Sequence, residues 1–416
     1  MAFAPTIPVI VLVLVFLGIA IRRIGRFTFR IWQIMLIGAV AVLVTGQISP
    51  VSAFRAINMD VMIFLFGMFV VGVALHESGY LLSHSTRIFC RARSPDQLLL
   101  LLVFYVGILS ALLMNDTLAI IGTPLALYFS RVNRISPKLL LLALAFSVTT
   151  GSVMSPIGNP QNLLVALHGS VGNPFITFAR YLAIPTAISL ILVYLFLRFA
   201  FRGEAWERGL EFNHEAVKDV RLALISKVSL GVLVTLILIK IAGFFVGLDT
   251  WVSLPAIALL SAFPILALSG RRVEIAKKVD WETLVFFAAM FVLMESVWES
   301  GFFQSFILLI GGEITRIPVI LGLSLIVSQF VSNVPWVALY LPVITKSGES
   351  MAALMALAAG STISGNLSIL GAASNVIIIQ NAEKEGETLT FLEFVKIGLP
   401  LTMLQGLVYW FFLGMG

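Results

Sequence analysis

Two long apolar segments of this chain, 97–130 and 317–345, are each broken near the middle by a short polar cluster, and the two breaks match. The first reads SALLMNDTLAIIGTP over 110–124 and the second SQFVSNVPWVALYLP over 328–342. Ser110 thus aligns with Ser328, Asn115 with Asn333 and Pro124 with Pro342, at a constant offset of 218. In hydrocarbon every backbone N–H and C=O has to be bonded within the protein, and irregular backbone is tolerated only inside protein or beside a water-filled cavity. Paired interruptions of this kind restrict the fold to helical hairpins whose tips are enclosed by other helices. Composition places the enclosure in a bilayer: 59% of the 416 residues are apolar and 12% charged, and mean hydropathy is +1.04. That is too little charge to cover a water-facing surface, so a soluble globular protein is excluded. At about 20 residues per crossing, the length allows roughly ten to twelve helices.

Full spans are expected at 8–21, 31–47, 60–77, 138–168, 176–200, 228–247, 250–269, 281–298, 351–381 and 394–415, with 97–130 and 317–345 as re-entrant hairpins. The first run lacks a basic leader and a small-residue cleavage site and is followed by Arg22, Arg23, Arg26 and Arg30, so it reads as a retained helix. With ten spans and two hairpins, 22 of the 27 Lys and Arg fall on one side; Arg55, Arg180, Lys240, Arg316 and Lys346 fall on the other. One missed crossing would invert every later loop, so this asymmetry supports the scheme. It makes the basic side cytoplasmic and puts both termini outside a prokaryotic inner membrane. The net charge of +6 is loop basicity, and no nucleic-acid partner is expected. The single Cys90 and four scattered histidines assemble no metal or redox site.

The halves repeat beyond the hairpins. The stretch 67–80 matches 289–302 at an offset of 222, and 143–162 matches 356–375 at 213, pairing Thr149 with Thr362, Ser155 with Ser368, Gly158 with Gly371 and Asn162 with Asn375. The first half starts outside and the second inside, so the repeats are inverted, an architecture of alternating-access transporters. The expected fold is all-α: repeats over 1–201 and 228–416, joined by a charged cytoplasmic linker at 202–227. Each holds three scaffold helices, a hairpin, a broken helix (138–168 or 351–381) and a final helix.

Polar residues collect at the hairpin tips and in the broken helices, TTGSVMSPIGNPQN (149–162) and STISGNLSILGAASN (361–375). Pro156, Gly158, Pro160, Gly365 and Gly371 interrupt the helical bonding there and free backbone groups to meet ions. Carbonyl ends with Ser, Thr and Asn oxygens suit a dehydrated cation, and half-helix N-termini suit an anion. Small residues also let helices pack closely, but two motif types at matched positions in both halves favour a site. Asp116 is the acidic residue at the centre of the first half and the candidate proton carrier or cation ligand. Glu295 is a second candidate, and Glu77 and Glu299 read as caps.

A tip carrying NDT (115–117) or SNV (332–334), then a broken helix carrying SPIGNPQN (155–162) or ILGAASN (369–375), resembles the ion-transporter superfamily. That superfamily includes arsenite permeases, NhaD-type sodium/proton antiporters, citrate permeases and divalent-anion/sodium symporters. The resemblance implies coupling-ion sites from Ser110, Asn115, Asp116, Ser155 and Gly158 in one half and Ser328, Ser332, Asn333, Ser368 and Gly371 in the other. It implies a substrate site among Asn115, Asp116, Thr117, Asn159, Asn162, Asn333, Ser374 and Asn375, and a homodimer built through the scaffold. Met114, Asp116 and Val334 stand where the symporters carry Ser or Thr. The Asn-Asp pair at the first tip is closer to the arsenite-permease and NhaD branches.

The expected function is secondary active transport of a small anion or oxyanion-like solute with sodium or protons. The alternative is an arsenite-type proton-coupled efflux permease or a sodium/proton antiporter. No cofactor and no partner beyond lipid, solute and a second copy are expected. An enzyme would need a nucleophile–base or metal constellation that the intramembrane residues do not supply, and no GxxxxGK[ST] motif is present for ATP.

Overall fold

Helices begin where the sequence sets a short polar acceptor before an apolar run. Ser49, Asn58, Ser94, Asn173, Asp219, Ser253, Asp280, Ser350 and Thr390 each occupy an N-cap and accept a backbone N–H from the third residue on. Each such acceptor satisfies one of the four donors a helix leaves unpaired at its start. The computed structural model describes all residues except 1–5, 22, 25–26, 29, 170, 205, 207–208, 211–216, 248–251, 303–311, 349 and 416.

Among the described residues the regular structure is helical apart from a two-residue antiparallel ladder, Arg23–Ile24 with Phe27–Thr28. In order come α1 (Ile7–Ile21), α2 (Ile31–Val44), α3 (Pro50–Ala56), α4 (Met59–Glu77), α5 (Tyr80–Phe89), the first hairpin α6 (Pro95–Leu112) and α7 (Asn115–Asn133), then α8 (Pro137–Ser152), α9 (Pro160–His168) and α10 (Pro174–Ala200). There follow α11 (Val220–Phe245), α12 (Leu254–Leu268), α13 (Arg272–Lys278), α14 (Trp281–Glu299), and the second hairpin α15 (Ile317–Val331) and α16 (Asn333–Lys346). The chain ends with α17 (Met351–Ile363), α18 (Ala373–Lys384) and α19 (Phe391–Gly414). The chain turns between α6 and α7 at Leu113 and Met114 and between α15 and α16 at Ser332, and it leaves α-helical geometry between α8 and α9 and between α17 and α18. Helix α11 begins at Val220, inside the charged stretch, because Asp219 caps it.

Six described helices are long and apolar enough to cross a membrane singly: α4, α6, α10, α11, α14 and α19. Helices α2 and α12 have 14 and 15 residues, about 21–23 Å at 1.5 Å per residue against a hydrocarbon core of about 30 Å. Caps explain the difference from the expected spans: Ser253 starts α12 late, and the chain after α2 turns at Thr45 and continues as α3. Large apolar side chains on the outer faces, such as Phe199, Phe263 and Phe411, stay more than half exposed, as a lipid-facing surface requires.

The centre is built from the broken helices. Every residue of α8 from Leu139 to Ser152 and of α17 from Ala352 to Ile363 is buried, and a helix apolar all round is a buried one. Close approach is possible because the contacts are small: a Cβ on Gly151 would fall 2.1 Å from the Gly107 carbonyl oxygen of α6. The distal half of each broken helix packs on the other half's hairpin, α9 against α16 and α18 against α7. The outer layer pairs α4 with α12 and α11, and α14 with α2 and α1.

Ion pairs join Arg131 to Glu385 (2.9 Å), Lys138 to Glu393, Arg198 to Asp96 (2.6 Å) and Arg271 to Glu77 (3.3 Å). Each links two loops or helix ends that the charge count puts on the same side. Asn58 meets His168 at 2.7 Å and Lys346 lies over Trp298, joining ends assigned to the other. Loops in contact share a side, whichever side that is. The Arg271 guanidinium and the Lys278 ammonium together hold the Glu274 carboxyl down at about 2. Exposed pairs of this kind are screened by solvent and stabilise little, so they position the helix ends more than they stabilise them.

Candidate transport site

Four helices start at one place. The first residues of α7 (Asn115, Asp116), α9 (Pro160, Gln161), α16 (Asn333, Val334) and α18 (Ala373) all line a cleft of about 630 Å³, with Ser332 and Ala372 just before them. Its other lining residues include Arg30, Ile31 and Trp32 at the head of α2, and Asp280, Glu282, Thr283, Phe286 and Phe287 at the head of α14. Arg30 and Glu282 form an ion pair across the rim. The hairpin turns and helix breaks produce this convergence, since each lets a helix begin deep inside the protein instead of at its surface.

A helix N-terminus carries roughly half a positive charge and free N–H groups. Met114, Ser332 and Ala372, the N-caps of α7, α16 and α18, provide no side-chain cap, although at α7 the Gly158 carbonyl takes the Asn115 N–H and Asn115 Oδ1 the Asp116 N–H. Only α9 is capped, by Asn159 Oδ1 accepting the Asn162 N–H at 2.9 Å. Asp116 sits in the first turn of α7 with Oδ1 buried and without a hydrogen-bond partner among the described residues. A carboxylate there is offset by the helix end, and an oxygen without a donor is able to take a proton.

Of the residues singled out from sequence, Asn115, Asp116, Ser332 and Asn333 line the cleft, together with the helix-breaking Pro160; the other candidate site residues do not line it. Ser110 Oγ donates to the Val148 carbonyl at 2.5 Å, and the Gly158 carbonyl accepts the Asn115 N–H at 3.0 Å, fixing the first tip on the first break. Thr117 packs against Gly72 of α4. Ser155 Oγ accepts the Ile157 N–H. Asn159 Nδ2 donates to Ser152 Oγ (2.9 Å) and Thr362 Oγ1 (3.3 Å). Asn162 Nδ2 donates to the carbonyls of Ser152, Val153 and Ser155 at 3.0, 3.2 and 3.0 Å. Asn375 repeats this on Gly365 (2.7 Å) and Ser368 (3.3 Å). Ser368 Oγ donates to Gln329 Oε1 (2.8 Å), Asn333 Oδ1 accepts from Ser364 Oγ (2.9 Å), and Gly371 packs against the Ser364 carbonyl. Ser328 Oγ and Ser374 Oγ are buried without partners among the described residues. Glu295, half-buried near the end of α14, is away from the cleft.

Sequence reasoning did not single out Gln161, Gln380, Thr283, Asp280, Glu282 or Arg30, all in the cleft wall. Gln161 stands inside the SPIGNPQN motif. Asp280 and Glu282 were visible as acids at the head of a span, but nothing in the sequence says that this end faces the hairpin tips.

Ser332 has φ 71° and ψ 155°, a region that residues with a Cβ avoid at a cost of about 1–3 kcal/mol. The expected result for Ser332→Gly is a gain of about 1 kcal/mol in stability, read by thermal unfolding in detergent. A loss of stability would show that the hydroxyl outweighs the backbone.

A sequence model of the citrate transporter family (CitMHS) matches residues 10–353. The chain belongs to that family. An uncharacterized transporter of Mycobacterium tuberculosis is 28% identical over 392 residues, covering 89% of this chain and 90% of that one. The silicon efflux transporter of Oryza sativa subsp. japonica is 25% identical over 435 residues, covering 88% and 89%. The crystal structure of the YdaH transporter of Alcanivorax borkumensis superposes with a TM-score of 0.58 over 98% of this chain and 97% of that one, at 16% identity; this likeness concerns the fold. The chain is thus a membrane transporter of the citrate transporter family, and its fold is that of a solved transporter described as having an unusual topology.

Proposed function

We propose that this chain is a secondary active transporter that moves a small anion or oxyanion-like solute with protons by alternating access. The observation that carries the reading is the convergence of four helix N-termini, three of them without a side-chain cap, on a cleft that also holds Asp116. The N-termini supply the anion's counter-charge without a buried cation. Asp116 supplies the coupling group. Protons are favoured over sodium because Asp116 Oδ1 is buried without a donor among the described residues and can itself carry the proton. The two halves act as inverted repeats, with the cleft open to the cytoplasm and both termini outside the cell membrane.

The acidic rim favours a second reading. Asp280 and Glu282 outnumber Arg30 there, which suits a neutral hydroxide-type solute exchanged for protons, and one relative is named for silicon efflux. Proteoliposomes loaded against a panel of citrate, succinate, sulfate, phosphate, arsenite and silicic acid separate these. Accumulation of one anion driven by a pH gradient supports the first reading, and proton-driven movement of arsenite or silicic acid alone supports the second. Accumulation that follows only a sodium gradient, or none under either gradient, overturns proton coupling.

A further inference from the structure

Helix α13 has two basic faces with different surroundings. Arg271 and Lys278 turn toward acids: Arg271 meets Glu77, Asp219 and Glu274, and Lys278 meets Glu77 and Glu274 at 2.7 and 3.0 Å. Arg272 and Lys277 turn the other way and line a pocket of about 390 Å³ whose remaining walls are Leu266, Val273, Ala276 and Trp281. No acidic side chain lines it, and neither cation has an ion-pair partner among the described residues. The pocket is held in shape at one edge, where Trp281 Nε1 donates to the Ala276 carbonyl at 3.0 Å and the indole rests against Phe66 at 5.9 Å. Its apolar wall continues outward from Val273 of α13, 63% exposed, to Leu268 and Phe263 of α12, 62% and 64% exposed, and the hydropathy pattern places α12 in the bilayer.

We propose that this pocket is a binding site for one anionic phospholipid, with the headgroup phosphate between Arg272 and Lys277 and an acyl chain along Val273, Leu266 and the outer face of α12. Charge complementarity decides the class of ligand. Two cations without acids leave a net positive site, whose charge a lipid of net charge −1 lowers and a zwitterionic lipid does not. The apolar wall selects a lipid over a free phosphate, because a soluble anion would leave that wall in water. An indole at the end of a span is placed where aromatic side chains meet headgroups. Trp281 also begins the helix whose next residues, Glu282 and Thr283, form the transport cleft, so the lipid braces the scaffold wall of the cleft. The site does not depend on the identity of the transported solute.

The test is native mass spectrometry of the delipidated full-length protein in detergent, offered phosphatidylglycerol or phosphatidylcholine in mixed micelles. Phosphatidylglycerol is expected to be retained and phosphatidylcholine not. R272Q/K277Q should lower retention about tenfold or more, as expected when two cations near a phosphate are removed, whereas R272K/K277R should retain it. R271Q, which breaks only the acidic-face pairs, should also retain it. Equal retention of the two lipids, unchanged retention by R272Q/K277Q, or displacement of the lipid by millimolar inorganic phosphate would overturn the proposal.

Discussion

Asp116→Asn is expected to abolish solute accumulation driven by a pH gradient in proteoliposomes while leaving a folded protein. The substitution keeps the shape of the side chain and removes its ability to exchange a proton. Asp116 Oδ1 has no hydrogen-bond donor to lose among the described residues, so stability should change by about 1 kcal/mol or less. A residual downhill exchange of solute is expected, because the helix N-termini around the cleft remain. An intramembrane carboxylate is costly unless it serves a function, and the nearest structural reading is that it only fills the first turn of α7. That reading predicts unfolding or no effect. Accumulation at the wild-type level in Asp116→Asn would remove Asp116 from the coupling step. Loss of both accumulation and downhill exchange in a folded variant would assign it to solute binding instead.

How much was legible in the sequence differs between the fold and the site. The hairpins and breaks were legible because both halves carry them, so Asn115 with Asn333 and Gly158 with Gly371 could be read against each other, and an apolar chain has few ways to hide a polar turn. The short helices α3, α5 and α13 were not, since each is a single amphipathic or mixed stretch of seven to ten residues without a long period. The scaffold wall of the cleft was hidden for a different reason. Its composition is that of an ordinary helix head, and only tertiary packing brings Asp280 and Thr283 into one cleft with Asn115 and Asn333. The broken-helix asparagines were found by their pairing, but pairing does not say which way an amide points.

That direction leads to the second large effect. Asn162→Ala is expected to destabilise the protein by about 3–5 kcal/mol, because it removes the donor from the carbonyls of Ser152, Val153 and Ser155 and the acceptor of Thr362 Oγ1 at 3.2 Å. Each buried polar group left unpaired costs about 1–3 kcal/mol, and native stability is only about 5–15 kcal/mol in all. Asn162→Asp should be worse, since it sets a carboxylate against three carbonyl oxygens. Asn375→Ala should cost less, about 1–3 kcal/mol, because its amide serves two carbonyls and its Oδ1 has no partner among the described residues. Denaturation of the three purified variants in detergent gives the order. If Asn162→Ala melts with the wild type and instead raises the KM for solute, the amide faces the transported solute. If the order holds, the two asparagines are the ties that let a helix stop and restart inside the membrane, which is the condition for four helix ends to meet at Asp116.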